Sequence, residues 1–453
     1  MISILKHYGK CDELTYRYIP FTVAEYIERI EVTYSYLRHR ITPTPQGQKR
    51  EEVNIIDLGL LDQAGELCGW SGSQLLSIHV AESSSTPGYR RAPIKGGTWH
   101  LILGIYKVQD EVEVTVTITQ VEKRRRSFKG DLHMHTVNSD GVYTTAEVIQ
   151  LAKSTGLDFI ALTDHNNTEQ NKEIGNPEHI TVIPAIEYTN YKGHANFYFP
   201  DDGIFTVNPL SNTGEEFSHF VASAKARGAL MCFNHPFDAC CPWLLGFEAP
   251  GELVEVWNGF PKPSDLEAIA WWHDQLCAGR RLVAVGGSDT HRIEQGRSWG
   301  NPTTHIHARS SGRHDLLEAL REGRVSISAA PDAAILNLAI GSAGLGESER
   351  YREGLEGIIT IEGAKMGDEV ILYSDDGEEE RFTAEFAGVV HLPFPVKDRR
   401  FYRVELYRFT LGMRLLNALT NPVYLSGAVE SRSMKVVGSE MESGVRVSLV
   451  SSE

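Results

Sequence analysis

The segment Gly130–Gly141 reads G-D-L-H-M-H-T-V-N-S-D-G. One residue separates His133 from His135, so on an extended chain both imidazoles point the same way. Asp140 follows on a turn built from Asn138, Ser139 and Gly141. Two imidazoles with a carboxylate returning to them are half of a first-row metal site. An isolated H-x-H is as readily a half-buried pair in a sheet, so the rest of the chain decides.

Other polar residues gather where apolar, strand-like runs stop. Leu157–Thr163 ends in Asp164–His165, and Thr181–Ile186 in Glu187. Gly193–Phe199 carries His194, Ala229–Asn234 delivers His235, and Leu282–Gly287 leads into Asp289 and His291. Of the chain's 17 histidines, six fall at these positions, beside the carboxylates of Asp140, Glu187 and Asp289. That concentration is not accidental, and all nine are ligand types for manganese, iron or zinc, with no thiol among them. Nine donors exceed what one ion uses, so the expectation is two or three divalent ions. Such ions bring bound water to hydroxide near neutral pH and stabilise the oxyanion of an attacked group. Asp289 and His194 are the candidates for direct catalytic work, Asp289 as proton carrier. Asp164 is expected outside the ligand set, orienting a ligand imidazole. Arg292, Arg297 and Lys192 are cations that could hold an anionic substrate. Asn258 and Trp257, ending Leu253–Trp257, are candidate substrate contacts, although Trp257 suits core packing equally well. His305 and His307 repeat the H-x-H spacing on a late strand and read as structural or peripheral.

The elements that must position these residues follow a strand–helix alternation from about Lys129 to Ala330. Thr144–Ser154 is a helix opened by the capping pair Thr144 and Glu147 and closed by Gly156. Further helices are expected over Glu215–Arg227, Asp265–Cys277 and Asp315–Glu322. Buried strands alternating with helices imply a parallel sheet or barrel, whose strand carboxyl ends share one rim. Before this region the chain reads as β structure: Val53–Asp62, Gln74–Glu82, Thr98–Val108 and Val112–Val121, the last with strict alternation. After it come the short β segments Ile358–Glu362, Glu369–Tyr373, Val389–Phe394 and Phe401–Tyr407, with one more strand candidate at Val445–Val450. Three domains are expected: an N-terminal β-sandwich over 1–126, an α/β barrel over 127–331 and a β-rich domain over 332–453. The basic run Lys123–Arg126 reads as a linker. The flanking domains carry no ligand cluster and are expected to shape the barrel mouth or to mediate self-association into a homo-oligomer.

Composition narrows the partners. A net charge of -16 on 453 residues opposes binding to nucleic acid or anionic membrane, leaving a small nucleotide as the largest nucleic-acid-like ligand. No apolar run has the length of a membrane span. Met1–Ile30 lacks the features of a signal peptide, so a cytoplasmic protein with six reduced thiols is expected. The adjacent pair Cys240–Cys241 reads as ordinary loop cysteines rather than a metal or redox device. No phosphate-binding loop of the G-x-x-x-x-G-K-[ST] type occurs, and no G-x-G-x-x-G follows a strand.

In order, D-L-H-M-H-T-V-N-S-D-G, I-A-L-T-D-H, I-E-Y, G-H-A-N, N-H-P and G-S-D-T-H resemble the PHP (polymerase and histidinol phosphatase) superfamily. E-V-W-N-G at Glu255–Gly259, L-E-A-L-R-E-G-R-V-S-I-S at Leu317–Ser328 and I-D-L-G-L-L-D at Ile56–Asp62 look like its CehA/McbA metallohydrolase branch. The resemblance implies a distorted (β/α)7 barrel with a two- or three-metal centre and a β-domain on each side. It assigns His133, His135 and Asp289 to one metal, with Glu187 bridging to a second held by His194 and His235. Asp140, His165 and His291 would form the third site. A small phosphomonoester or phosphodiester is the expected substrate, because a phosphoryl group spreads charge over three oxygens and gains most from a third cation. The CehA/McbA likeness implies instead a carbamate or aryl ester. A non-catalytic PHP binding module would require lost ligands, and none of the nine is lost.

Overall fold

The computed structural model describes residues 1–45, 47–293 and 298–427; the strand candidate Val445–Val450 and Arg297 lie outside them. The N-terminal region is two four-stranded antiparallel sheets facing each other across one core. Alternation places each residue: along Glu111–Glu122, Val112, Val114, Val116 and Ile118 are buried while Glu111 and Glu113 face out. The sequence reading missed the opening strands Ile2–Gly9, Thr15–Val23 and Ile27–Tyr36 of this sandwich.

The central region contributes nine strands: β1 (Arg126–Asp131), β2 (Phe159–Leu162), β3 (Thr181–Asn190), β4 (Gly193–Tyr198), β5 (Leu230–Phe233), β6 (Leu253–Asn258), β7 (Val283–Gly287), β8 (Thr303–Ala308) and β9 (Val325–Ser328). β1 to β7 lie side by side in chain order, and β8 and β9 continue beyond β1. Five helices accompany them: α1 (Thr145–Ser154), α2 (Glu169–Glu173), α3 (Gly214–Ala226), α4 (Pro263–Cys277) and α5 (Arg313–Arg321). The capping pair Thr144–Glu147 forms as expected at the start of α1.

The strand–helix alternation of a regular (β/α)7 barrel is only partly present. β3 and β4 form a hairpin, because Lys192 N–H closes onto Asn190 Oδ1 and Gly193 adopts φ +127°. β4 is therefore antiparallel to both neighbours, α2 is a single short turn of helix, and no helix joins β5 to β6. The reversal has a use: His194 stands at the start of β4, and an antiparallel start falls on the same rim as the parallel ends. At that rim β7 returns to β1. Asp289 N–H donates to His133 C=O (2.8 Å) and His135 N–H to Thr290 C=O (3.1 Å). The ring of strands is drawn together where the candidate ligands lie.

Beyond β9 the expected boundary near residue 331 is not a break in the sheet. β9 pairs with Met413–Thr420, which pairs in turn with Phe401–Thr410 and, through it, with Glu369–Ser374. Asn421 ties the regions further. Its Oδ1 accepts Ala284 N–H (2.8 Å), and its Nδ2 donates to Ala284 C=O (2.8 Å) and Val325 C=O (3.2 Å), so one side-chain amide stands in for a peptide between β7 and β9. A separate apolar core lies beneath the C-terminal strands, built around Leu336, Ile359, Val370 and Leu406. No described helix is long and apolar enough to cross a membrane.

Candidate metal centre

All nine expected ligands converge, and Glu187 is the hub. Its carboxylate is fully buried on β3, which runs three residues past the expected strand end at Glu187. Oε1 lies 3.3 Å from His133 Nε2, 3.2 Å from His194 Nδ1 and 3.7 Å from His235 Nε2. Oε2 lies 3.4 Å from His135 Nε2 and 3.0 Å from His165 Nδ1. Asp289 Oδ1 stands 3.4 Å from His133 Nε2 and 3.2 Å from His135 Nε2. Asp140 Oδ1 faces His291 Nε2 (3.1 Å), His165 Nε2 (3.5 Å) and His135 Nδ1 (3.9 Å). Two ligands at a tetrahedral angle on an ion 2.0–2.1 Å away sit about 3.4 Å apart, and these separations cluster around that value.

The buried atoms test the fit. His133 Nε2, His135 Nε2 and Glu187 Oε2 are inaccessible to solvent and have no hydrogen-bond partner among the described residues. Leaving such atoms unsatisfied costs about 1–3 kcal/mol each, and all three are metal-ligand atoms turned toward one another. Burial alone would raise the Glu187 pKa, but the imidazoles of His133, His165 and His194 overcome it and hold the carboxyl well below its usual range. Asp289 is likewise held low against burial by His133 and His135. Both groups are therefore anionic donors. The site is suited to divalent ions in its ligand types, its spacing and its unsatisfied atoms. Two ligand positions also sit in left-handed backbone that non-glycine residues rarely adopt: His235 at φ +26° and Asp289 at φ +51°.

The ligands are themselves held. Glu255 of β6 is buried, and its Oε1 accepts from His133 Nδ1 (3.0 Å), leaving Nε2 for the centre. Its Oε2 accepts His235 N–H (3.0 Å) and Asn258 Nδ2–H (3.0 Å). The sequence reading assigned Glu255 no role, although an acid inside an apolar strand was a signal. Asn234 Nδ2 donates to Glu187 Oε1 (2.8 Å), and Thr189 Oγ1 meets His165 Nδ1 (2.6 Å). Cys241 Sγ lies 3.6 Å from His235 Nδ1, so one of the two loop cysteines does reach the centre. Its ligand atom is within 4.8 Å of those of His194 and His235. Among the described residues Asp164 has no direct hydrogen bond to an imidazole. It accepts Thr136 N–H (2.8 Å), Thr136 Oγ1–H (2.9 Å) and Ser139 Oγ–H (2.6 Å), and so fixes the loop on which His135 and Asp140 stand.

Trp257 and Asn258, the candidate substrate contacts, are both engaged within the protein. A β-bulge between Glu255 and Trp257 shifts the alternation by one residue. Glu255 and Asn258 thereby both face the centre, while Trp257 turns outward into the core around Trp272 and is 1% exposed. Asn258 has its amide engaged at both ends, by Glu255 and by Lys262 Nζ (3.1 Å). Arg292 is exposed next to His291, and Lys192 Nζ donates to the Asn212 carbonyl. His305 is structural, as read: it is buried, its Nε2 meets Ser328 Oγ (2.8 Å), and burial lowers its pKa to about 3.

Parts of the chain are similar to known proteins. Residues 131–248 match the family model of the PHP domain, a stretch that carries seven of the nine candidate ligands. An uncharacterised protein of Methanocaldococcus jannaschii is 25% identical over 159 residues, which is 32% of this chain and 89% of that one. Among solved structures, a two-domain protein from Bacteroides vulgatus, described as containing a predicted PHP-like metal-dependent phosphoesterase, aligns over 65% of this chain and 95% of its own, at 19% identity and TM-score 0.39. An amidohydrolase from Chromobacterium violaceum, solved with sulfate and no metal, aligns over 37% of this chain and 89% of its own, at 17% identity and TM-score 0.27.

Proposed function

We propose that this protein is a metal-dependent hydrolase whose preferred substrate is a small phosphoester. The observation that carries the reading is the convergence of nine ligand-type side chains on Glu187 and Asp140. Divalent ions bound there lower the pKa of water toward neutrality and stabilise charge on the group under attack. His133, His135 and Asp289 would hold one ion and His194 and His235 a second, with the Glu187 carboxylate placed between the two sets. Asp140, His165 and His291 complete a third group at the more exposed edge, where a phosphate's remaining oxygens would lie. Asp289 is suited to take the proton from the attacking water, because its side chain is 19% exposed and already sits between two imidazoles. His194 faces the same opening at 17% exposure, so it stands beside the reacting group as well as in the ligand set. Arg292, following His291, offers a fork of donors to phosphate.

A second reading, a carbamate or aryl-ester hydrolase of the CehA/McbA type, is favoured by one observation. The E-V-W-N-G motif shared with that branch supplies Glu255 and Asn258, which orient His133 and His235. The test is elemental analysis of the gently purified protein, followed by side-by-side assay of p-nitrophenyl phosphate, bis-p-nitrophenyl phosphate, p-nitrophenyl acetate and a naphthyl carbamate. At least two transition-metal ions per chain and turnover of a phosphoester are expected. Turnover of only the last two substrates, with no inhibition by inorganic phosphate, replaces the first reading by the second. Stray metal and no activity on adding Mn²⁺ overturn both.

A further inference from the structure

Where the N-terminal sandwich meets the amino ends of the central strands, two cavities of about 310 and 650 Å³ abut, sharing Ser83, Arg91, Ile180 and Thr181. Thr181 opens β3 and Glu187 lies six residues along it. At about 3.3 Å per residue the seam is about 20 Å from the metal centre.

Its polar lining is unusual in what it lacks. Arg91, from the sandwich, spends its terminal nitrogens on the carbonyls of Pro177 (3.0 Å) and Asn176 (3.0 Å). Arg313, at the start of α5, spends its own on the carbonyls of Asp201 (2.9 Å) and Val182 (3.2 Å). Among the described residues neither guanidinium has a carboxylate within ion-pair distance. The Nε–H of each is buried without an acceptor, as is that of Arg29 on the second cavity, although Arg29 is paired with Glu31 (2.6 Å). An acceptor is orphaned as well. Glu82 Oε1 takes the N–H and ring nitrogen of His314, but Oε2 is buried with no donor.

Both guanidinium groups are half-buried, with Glu178 acting on Arg91 and Glu82, Asp201 and Asp202 on Arg313 from beyond contact distance, and their orphaned buried Nε–H donors mark a place where something else is bound. Donors and an acceptor orphaned together call for a ligand with both an oxyanion and a hydroxyl. Arginine's planar fork suits the oxyanion, and the cavities are of a size that takes small organic molecules. We propose that this seam binds a phosphorylated small molecule, with Arg91 and Arg313 on the phosphate and Glu82 Oε2 on a neighbouring hydroxyl. The two arginines come from different regions, so the ligand braces the sandwich against the central sheet and raises the melting temperature as it binds.

The experiment is calorimetric titration of the full-length protein with glucose 6-phosphate and with inorganic phosphate. Wild type is compared with Arg91→Gln, Arg313→Gln, Ala92→Phe and the metal-centre variant Glu187→Gln. The seam should bind glucose 6-phosphate in wild type and in Glu187→Gln, with affinity at least about tenfold lower in either arginine variant, the loss of one good charged contact. Ala92→Phe keeps both arginines and fills the cavity, so it should also lose binding. Melting curves without ligand show that each variant is folded. Equal affinity for both probes overturns the hydroxyl role of Glu82 and leaves a phosphate site. Binding that survives in Arg91→Gln, Arg313→Gln and Ala92→Phe, or that vanishes in Glu187→Gln alone, overturns the proposal.

Discussion

Replacing Glu255 by glutamine removes one charge and adds two N–H donors at a place where three donors already point. His133 Nδ1, His235 N–H and Asn258 Nδ2–H each lie 3.0 Å from a Glu255 oxygen. The amide can accept at one end only. If its NH₂ faces His235 and Asn258, two buried donors lose their acceptor, at about 1–3 kcal/mol each. If it faces His133, the imidazole must accept at Nδ1 and carry its proton on Nε2, the atom directed at Glu187 and Asp289. The second orientation costs less in folding and blocks a ligand. Loss of such an outer partner weakens metal binding about 10–100-fold, or about 1.4–2.7 kcal/mol. Competition against a chromophoric chelator measures this, with a melting curve to show that the variant is folded. A folded Glu255→Gln protein that binds metal within about twofold of wild type would refute the argument that Glu255 sets the His133 tautomer.

Glu187→Gln should leave the fold intact and abolish turnover, because a neutral amide cannot hold two cations; full metal content with near-normal turnover would remove Glu187 as the bridge. Trp257→Ala should cost about 3–5 kcal/mol of stability in urea unfolding without raising KM, and a raised KM at unchanged stability would return Trp257 to the substrate. His314 is raised from its ordinary 6.5 by the hydrogen bond to Glu82, against burial. A raised histidine stabilises the fold fully below the unfolded pKa and loses that contribution as pH climbs through the folded value. Its side chain is 55% exposed, so the effect is below about 1 kcal/mol. His314→Gln should therefore flatten the stability profile above pH 6.5, and an unchanged slope across that window would dissociate His314 from it.

The site was more legible in the sequence than the fold around it, for a physical reason. Ligands that follow apolar runs are local features: Glu187 directly follows one, His235 follows one after Asn234, and chemistry limits the residue types. Glu255 escaped because it lies two residues inside a buried strand, where alternation is masked by apolar residues on both faces. The bulge that sends Trp257 outward has no sequence signature of its own. The β3–β4 hairpin was readable in Asn190–Gly193 but was overridden by the expectation of a regular alternation. Pairing of β9 with Met413–Thr420 joins residues about 90 positions apart, and long-range partners leave no mark on either segment. In the sandwich, Ile2–Gly9 and Thr15–Val23 were missed because exposed tyrosines and charges dilute their alternation.

The amide of Asn421 bears on how the chain is made. Synthesis delivers β7 and β9 with main-chain groups of Ala284 and Val325 unmatched, and the side chain that satisfies them is encoded 137 residues after Ala284 and 96 after Val325. At about 5–20 residues per second the ribosome needs about 5–27 s to cover those gaps. The N-terminal sandwich can close as soon as residue 122 has emerged, since all its sheet partners precede that point. The central region cannot, and it waits with an open edge for a segment beyond its own boundary. Nascent chains stalled before residue 421 should be nicked by protease in the central region and spared in the sandwich, and the same chains stalled well past it should be spared in both.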